Sequence, residues 1–118
     1  EWLAAMAGIY AVEHAIAQFQ ADPSWLKKTE LVLVPIANPD GFVYSCSGDR
    51  FWRKNRRPNE RSKCNGVDLN RNFAFQWSAT RPEHVCGDTN GGPAAASEPE
   101  VRALQALVQE SILTVHID

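Results

Sequence analysis

The chain has 118 residues, 44% of them hydrophobic, and a formal net charge of −2 at pH 7, which is ample apolar material for one ordinary folded domain and excludes a disordered segment. It holds no uncharged apolar run of about 18 residues and no signal-peptide layout, so neither a membrane span nor a leader is read from it. The charge is unevenly spread: residues 50–71 carry eight of the twelve Lys/Arg against only Glu60 and Asp68, a net +6, while the remainder nets −8, so this one basic stretch should meet a negative partner.

Trp2, Met6, Ile9, Val12, Ile16 and Phe19 recur at three- and four-residue steps over Ala-rich sequence, which predicts an amphipathic helix from residue 2 to about 19. Asp22, Pro23 and Ser24 then break the pattern. The run LVLVPIA at 31–37 is too short for a helix and rich in β-branched residues, as expected of a strand buried on both faces of a sheet. Asn38-Pro39-Asp40-Gly41 reads as the turn that closes it, with proline pre-set and glycine free in its dihedrals. Residues 47–93 are mostly polar and rich in Arg, Asn and Gly, an irregular stretch of the kind that is functional or restrained. Ser97-Glu98-Pro99-Glu100 is a capping box, serine at the N-cap and glutamate reaching back from the third helical position. The helix that it opens presents Val101, Leu104, Leu107 and Val108 on one face and ends near Glu110. Residues 113–118 follow as a second strand. Helix, strand, loop, helix, strand is α/β organisation.

Both ends suggest a cut. Glu1 falls directly on the apolar-periodic run with no N-cap before it, and ILTVHID stops inside a strand-like segment. The chain is therefore expected to be one piece, 1–118, of a larger domain truncated at both ends.

The three cysteines, Cys46, Cys64 and Cys86, form no CxxC pair and no zinc-finger spacing. One disulfide plus one free thiol is the natural sum, and a Cys64–Cys86 bridge would restrain the irregular loop; three buried thiols in a reducing compartment is the alternative.

Within the basic stretch, Arg53 and the pair Asn70-Arg71 are the candidate anion-binding groups. A guanidinium presents a planar fork matched to carboxylate or phosphate oxygens, Asn70 adds a neutral donor, and Asp68 could orient a partner from behind. Nucleic acid is disfavoured, because aromatic interleaving stops at Phe51 and Trp52 and no recognition module is present. A phosphate site would want a glycine-rich turn opening a helix, and none precedes these arginines. A carboxylate remains, beside the plain possibility of a solvated basic loop.

The motifs GVDLNRNF, preceded by DRFWRKN and a cysteine and followed by a second cysteine and SEPE, closely resemble the M14 zinc carboxypeptidases of the pancreatic A/B type. The opening EW, NPDGF and GGPAAASEPE fall in the same order, so the resemblance covers essentially the whole chain. It implies a mixed β-sheet flanked by helices and a secreted, zinc-dependent metallocarboxypeptidase that acts as a monomer on the C-termini of peptides and proteins, with no nucleic acid or membrane partner. It further implies that Glu1 is a zinc ligand and that Arg53 polarises the scissile carbonyl and steadies the oxyanion. Asn70 and Arg71 would grip the substrate's terminal carboxylate. Asp68 would hydrogen-bond a zinc-ligand histidine, and Cys64 and Cys86 would form the family's disulfide.

The family's later histidine ligand follows the serine of SEPE by roughly two dozen residues, and Ser97 to His116 is only nineteen steps. Position 120, beyond Asp118, fits better. His116 is the less favoured alternative, since positions 116 and 120 of a strand lie about 13 Å apart and cannot share one metal. His14 and His84 read as ordinary packing or solvent histidines. Arg56, Arg57, Arg61 and Lys63 read as solvated surface. By the same resemblance the general base lies outside the chain, so the segment alone is expected to bind zinc weakly or not at all and to lack peptidase activity. The alternative for the parent is an inactive relative that binds peptide C-termini.

Overall fold

The computed structural model describes residues 2–59, 62–79 and 84–110. The chain divides into two compact units, Glu1–Trp52 and Arg53–Asp118, each considered by itself.

The first unit is built on helix α1, Trp2–Ala21, which matches the expected span. Its Ala-rich sequence carries little side-chain entropy cost in a helix. The helix stops at Asp22, whose carboxylate accepts from the Ser24 backbone N–H at 2.9 Å and caps a 3₁₀ turn over Pro23–Leu26. The covered face differs from the expected one. Trp2, Ala5, Gly8, Ile9, Val12 and Ala15 are buried or half-buried, whereas Met6, Ile16 and Phe19 are 46–52% exposed. Gly8 explains the rotation: a Cβ there would stand 2.6 Å from the Pro35 carbonyl oxygen, so only glycine lets this backbone come against the helix.

The apolar run 31–37 forms no strand, and no strand occurs among the described residues. Leu31, Val32, Leu33 and Val34 are each 40–44% exposed. Composition announces a segment fit for burial on two faces, but a strand exists only when a neighbour supplies the ladder of hydrogen bonds. The other expected strand, 113–118, lies outside the described residues, as does His116. The mixed sheet is therefore not part of the described structure.

Asn38-Pro39-Asp40-Gly41 is not a free-standing turn. It is the start of helix α2, Pro39–Ser47. Asn38 is the N-cap, its side-chain oxygen accepting from the Gly41 N–H at 3.0 Å, with Pro39 in the first turn and Asp40 beside the orphan N–H groups. The same residues serve a turn and a helix start, and the apolar Phe42, Val43 and Tyr44 that follow carry the backbone onward. Tyr44 meets Trp52 edge to face at 5.0 Å between ring centroids, and the Arg50 guanidinium lies 3.9 Å over the Trp2 ring. These two contacts tie the end of this unit to its helices.

In the second unit the long polar stretch is irregular, as expected, apart from a 3₁₀ turn over Leu69–Arg71. Helix α3, Pro99–Glu110, closes the described part. Its entry departs from a reciprocal capping box: the Ser97 N–H donates to the Ala94 carbonyl, and the Glu100 carboxylate accepts from Asn55 Nδ2 at 3.3 and 3.4 Å. The Glu98 carbonyl accepts the Arg102 N–H at 3.1 Å, which puts Glu98 at the cap. Val101 is fully buried and Val108 is 47% exposed.

The interior of this unit is polar. Val67 and Val101 are its buried apolar side chains among the described residues, beside buried Lys54, Asn55, Asp68, Asn72, Asn90 and Glu98. Among the described residues, no buried side-chain nitrogen or oxygen lacks a partner, which is the condition for polar groups to survive burial. The Cys64–Cys86 disulfide forms, with Cα atoms 5.1 Å apart, and Cys46 is an exposed free thiol. By the chain-entropy model a bridge of this span restrains the unfolded chain by about 3 kcal/mol.

Candidate functional site

The candidate anion-binding residues sit at the two ends of one carboxylate. Asp68 is buried and caps the Leu69–Arg71 turn, its Oδ1 accepting from the Asn70 N–H at 3.1 Å. Its Oδ2 accepts from Arg53 Nη2 at 3.0 Å, in an ion pair whose aspartate side is 4% exposed and whose arginine side is 33% exposed. One carboxylate thus orients the arginine and shapes the turn that carries Asn70 and Arg71. The pair is charge-assisted, shielded on the aspartate side, and holds a long side chain in one geometry.

Asn70 and Arg71 are themselves exposed. Arg71 Nη1 donates to the Asn70 carbonyl at 3.2 Å, bending the side chain back over its own turn. Both residues line a cavity of about 470 Å³ with Phe73, Trp77, His84 and Thr89. Trp77 is anchored there by its indole N–H, which donates to the Gly91 carbonyl at 2.9 Å. A guanidinium and an amide at the wall of this open, largely polar cleft can hold an anion. His84, read from sequence as an ordinary loop residue, lines this cavity.

Behind the turn lies a polar network that sequence reasoning did not find. Asn55 Oδ1 accepts from the Val67 and Arg57 N–H groups at 2.8 and 3.2 Å, while its Nδ2 donates to Glu98 Oε2 at 2.7 Å. Asn90 Nδ2 donates to the Gly66 carbonyl at 3.0 Å, and the Asn90 carbonyl accepts from the Asp68 N–H at 2.7 Å. Arg57, expected on the solvated surface, instead pairs with the buried Glu98 at 2.7 Å. Burial alone would raise the Glu98 pKa, but hydrogen bonds from Ser97, Asn55 and Arg57 and the Arg57 charge outweigh it and hold the carboxyl below its ordinary value. The signal was present as asparagines spaced through a Gly-rich stretch, yet nothing in their spacing says which backbone each will satisfy.

Lys54 is also buried. Its ammonium donates to the Cys86 carbonyl at 3.5 Å, and burial pushes its pKa down from 10.5 while the Asp88 and Asp68 carboxylates pull it back up. It connects the segment after Arg53 to the disulfide.

Glu1 lies outside the described residues, as does His116. Among the described residues no three His, Cys, Asp or Glu side chains come together as a metal site, and no helix is long and apolar enough to cross a membrane.

The whole chain, residues 1–118, matches the zinc carboxypeptidase family model (peptidase M14). It is 38% identical over 113 residues to a metallocarboxypeptidase A-like protein of Trichophyton verrucosum, covering 92% of this chain and 26% of that protein. Human carboxypeptidase A6 is 38% identical over 108 residues, covering 88% and 25%. Among solved structures, carboxypeptidase A from Helicoverpa armigera superposes with a TM-score of 0.79 at 38% identity, covering 93% of this chain and 27% of that one. Bovine thrombin-activatable fibrinolysis inhibitor, in complex with tick carboxypeptidase inhibitor, gives 0.75 at 30% identity, covering 92% and 37%. The chain spans about a quarter of the length of the curated relatives it matches.

Proposed function

This chain belongs to the zinc carboxypeptidase family, and on that premise we propose that the protein carrying it is a metallocarboxypeptidase that hydrolyses the C-terminal peptide bond of peptides and proteins. Arg71 and Asn70 bind the substrate's terminal carboxylate, which restricts cleavage to chain ends. Arg53 donates to the carbonyl oxygen of the scissile bond as negative charge develops there. Asp68, which the family resemblance would pair with a zinc-ligand histidine, accepts here from Arg53 and keeps that guanidinium oriented, so that little reorganisation is needed as that charge develops.

What supports this reading above all is the single buried carboxylate of Asp68, which bonds both the Arg53 side chain and the Asn70 backbone. It links a group suited to the reacting carbonyl with the turn suited to the substrate's terminus. The family implies zinc, and Glu1 is the ligand that we assign within the chain. When bound, zinc supplies Lewis acidity toward the carbonyl and an activated water. The Cys64–Cys86 bridge favours an oxidising compartment, and we assign the protein to the extracellular space on that ground.

Substitutions in the intact protein test the division of labour. Arg71→Ala should raise KM for a blocked dipeptide by about tenfold or more with kcat little changed, and Arg53→Ala should lower kcat by about a hundredfold. Equal and negligible effects would remove both roles. Binding of the dipeptide without chelator-sensitive release of its last residue would instead favour a peptide-binding relative that lacks catalysis.

A further inference from the structure

The turn that carries Asn70 and Arg71 is three residues long, Leu69–Arg71, and a single 3₁₀ turn has too few bonds of its own to hold its shape. Its geometry must come from what flanks it. On the entry side this is Asp68. On the exit side it is Asn72, which is 0% exposed.

Every polar group of Asn72 is engaged. Its N–H donates to the Leu69 carbonyl at 3.1 Å and closes the turn, and its carbonyl accepts from the Ala96 N–H at 2.7 Å. Side-chain Nδ2 lies 2.8 Å from the Gly91 carbonyl, 3.0 Å from the Ala94 carbonyl and 2.9 Å from Ser97 Oγ, while Oδ1 accepts from the Glu98 N–H at 3.1 Å. Ser97 Oγ in turn donates to Glu98 Oε1 at 2.7 Å. Gly92, at φ +81°, leaves no room for a side chain, since a Cβ there would stand 2.8 Å from Asn72 Nδ2. One amide therefore fastens the turn to the segment that enters α3.

We propose that Asn72 is a positioning residue for the carboxylate clamp: its buried amide holds the Leu69–Arg71 turn against the 91–98 segment, so that the Asn70 amide and the Arg71 guanidinium meet a terminal carboxylate together. The inference rests on the clamp reading of Asn70 and Arg71. It assigns no contact with substrate to Asn72. A displacement of even about 1 Å at such a clamp is enough to weaken recognition severely.

The test reads anion selectivity, which general destabilisation would not move. The intact protein, stripped of metal by a chelator, is titrated with a blocked dipeptide ending in a free carboxylate and with its C-terminal amide. Arg71→Ala should abolish the preference for the acid. Asn72→Ala should lower that preference about tenfold with the amide's Kd unchanged. Gly92→Ala, whose Cβ would stand 2.8 Å from Asn72 Nδ2 and force the amide to shift, should lower it about threefold. Should Asn72→Ala fail to fold in a thermal melt, Gly92→Ala decides. Full selectivity in the Asn72 and Gly92 variants alongside its loss in Arg71→Ala would overturn the positioning role alone. Full selectivity in Arg71→Ala as well would overturn the clamp and this inference with it.

Discussion

Glu98 keeps its charge at 1% exposure because three donors surround it, and the balance of those effects has a pH signature. The folded carboxyl titrates below its ordinary 4.5, so as pH falls the unfolded chain takes up the proton first. The stability that Glu98 contributes is complete above pH 4.5 and is lost as pH drops through the folded value. Glu98→Gln should therefore lower the melting temperature at neutral pH and flatten its decline in acid; a melting curve with an unchanged acid slope would show that Glu98 is not the titrating group. The same residue shows what sequence leaves open. Arg57 and Arg56 are neighbours of one type, yet Arg57 reaches a buried carboxylate, and only the fold around α3 decides which arginine does so. Arg53, Asn70 and Arg71, by contrast, were legible as candidates, because planar donors grouped in an acidic chain point to an anion wherever the backbone goes.

At the scale of elements, local signals succeeded where the chain satisfies itself. α1 and α3 appear over their expected spans, since helical hydrogen bonds are internal and depend on nearby residues. The strand at 31–37 did not appear, since its bonds would have to come from distant chain. α2 was missed for a different reason: Asn38-Pro39-Asp40-Gly41 satisfies the rules for a turn and for a helix N-terminus equally well. Its cap makes a direct prediction. Asn38→Ala should cost about 1 kcal/mol through loss of the bond to the Gly41 N–H, measured as a shift in the denaturation midpoint of the intact protein. Asn38→Asp, which keeps the acceptor, should restore most of it. The disulfide lay between these cases: cysteine counting left the pairing open, the family resemblance implied it, and the structure has it.

At the scale of the whole molecule, the chain spans about a quarter of the length of its curated relatives, and its described residues leave Leu3, Tyr10, Ile16 and Val43 more than half exposed. No three metal-ligating side chains converge among the described residues. By the family resemblance the general base lies outside the chain, so the 118-residue segment by itself should show no hydrolysis of a blocked dipeptide and little zinc uptake by equilibrium dialysis; chelator-sensitive hydrolysis by the purified segment would contradict this. The sequence by itself determined the family and the helices that start and stop on local rules, and it marked Arg53, Asn70 and Arg71 as candidates for meeting a carboxylate, because each depends on side-chain chemistry or near-neighbour spacing. Only the tertiary structure decided that Asp68 would bond both Arg53 and the Asn70 turn, that Asn72 would fasten that turn to the entry of α3, and that the surrounding interior would be polar. Those outcomes depend on which backbone groups burial leaves in need of partners, and that is fixed only when segments far apart in the chain are brought together.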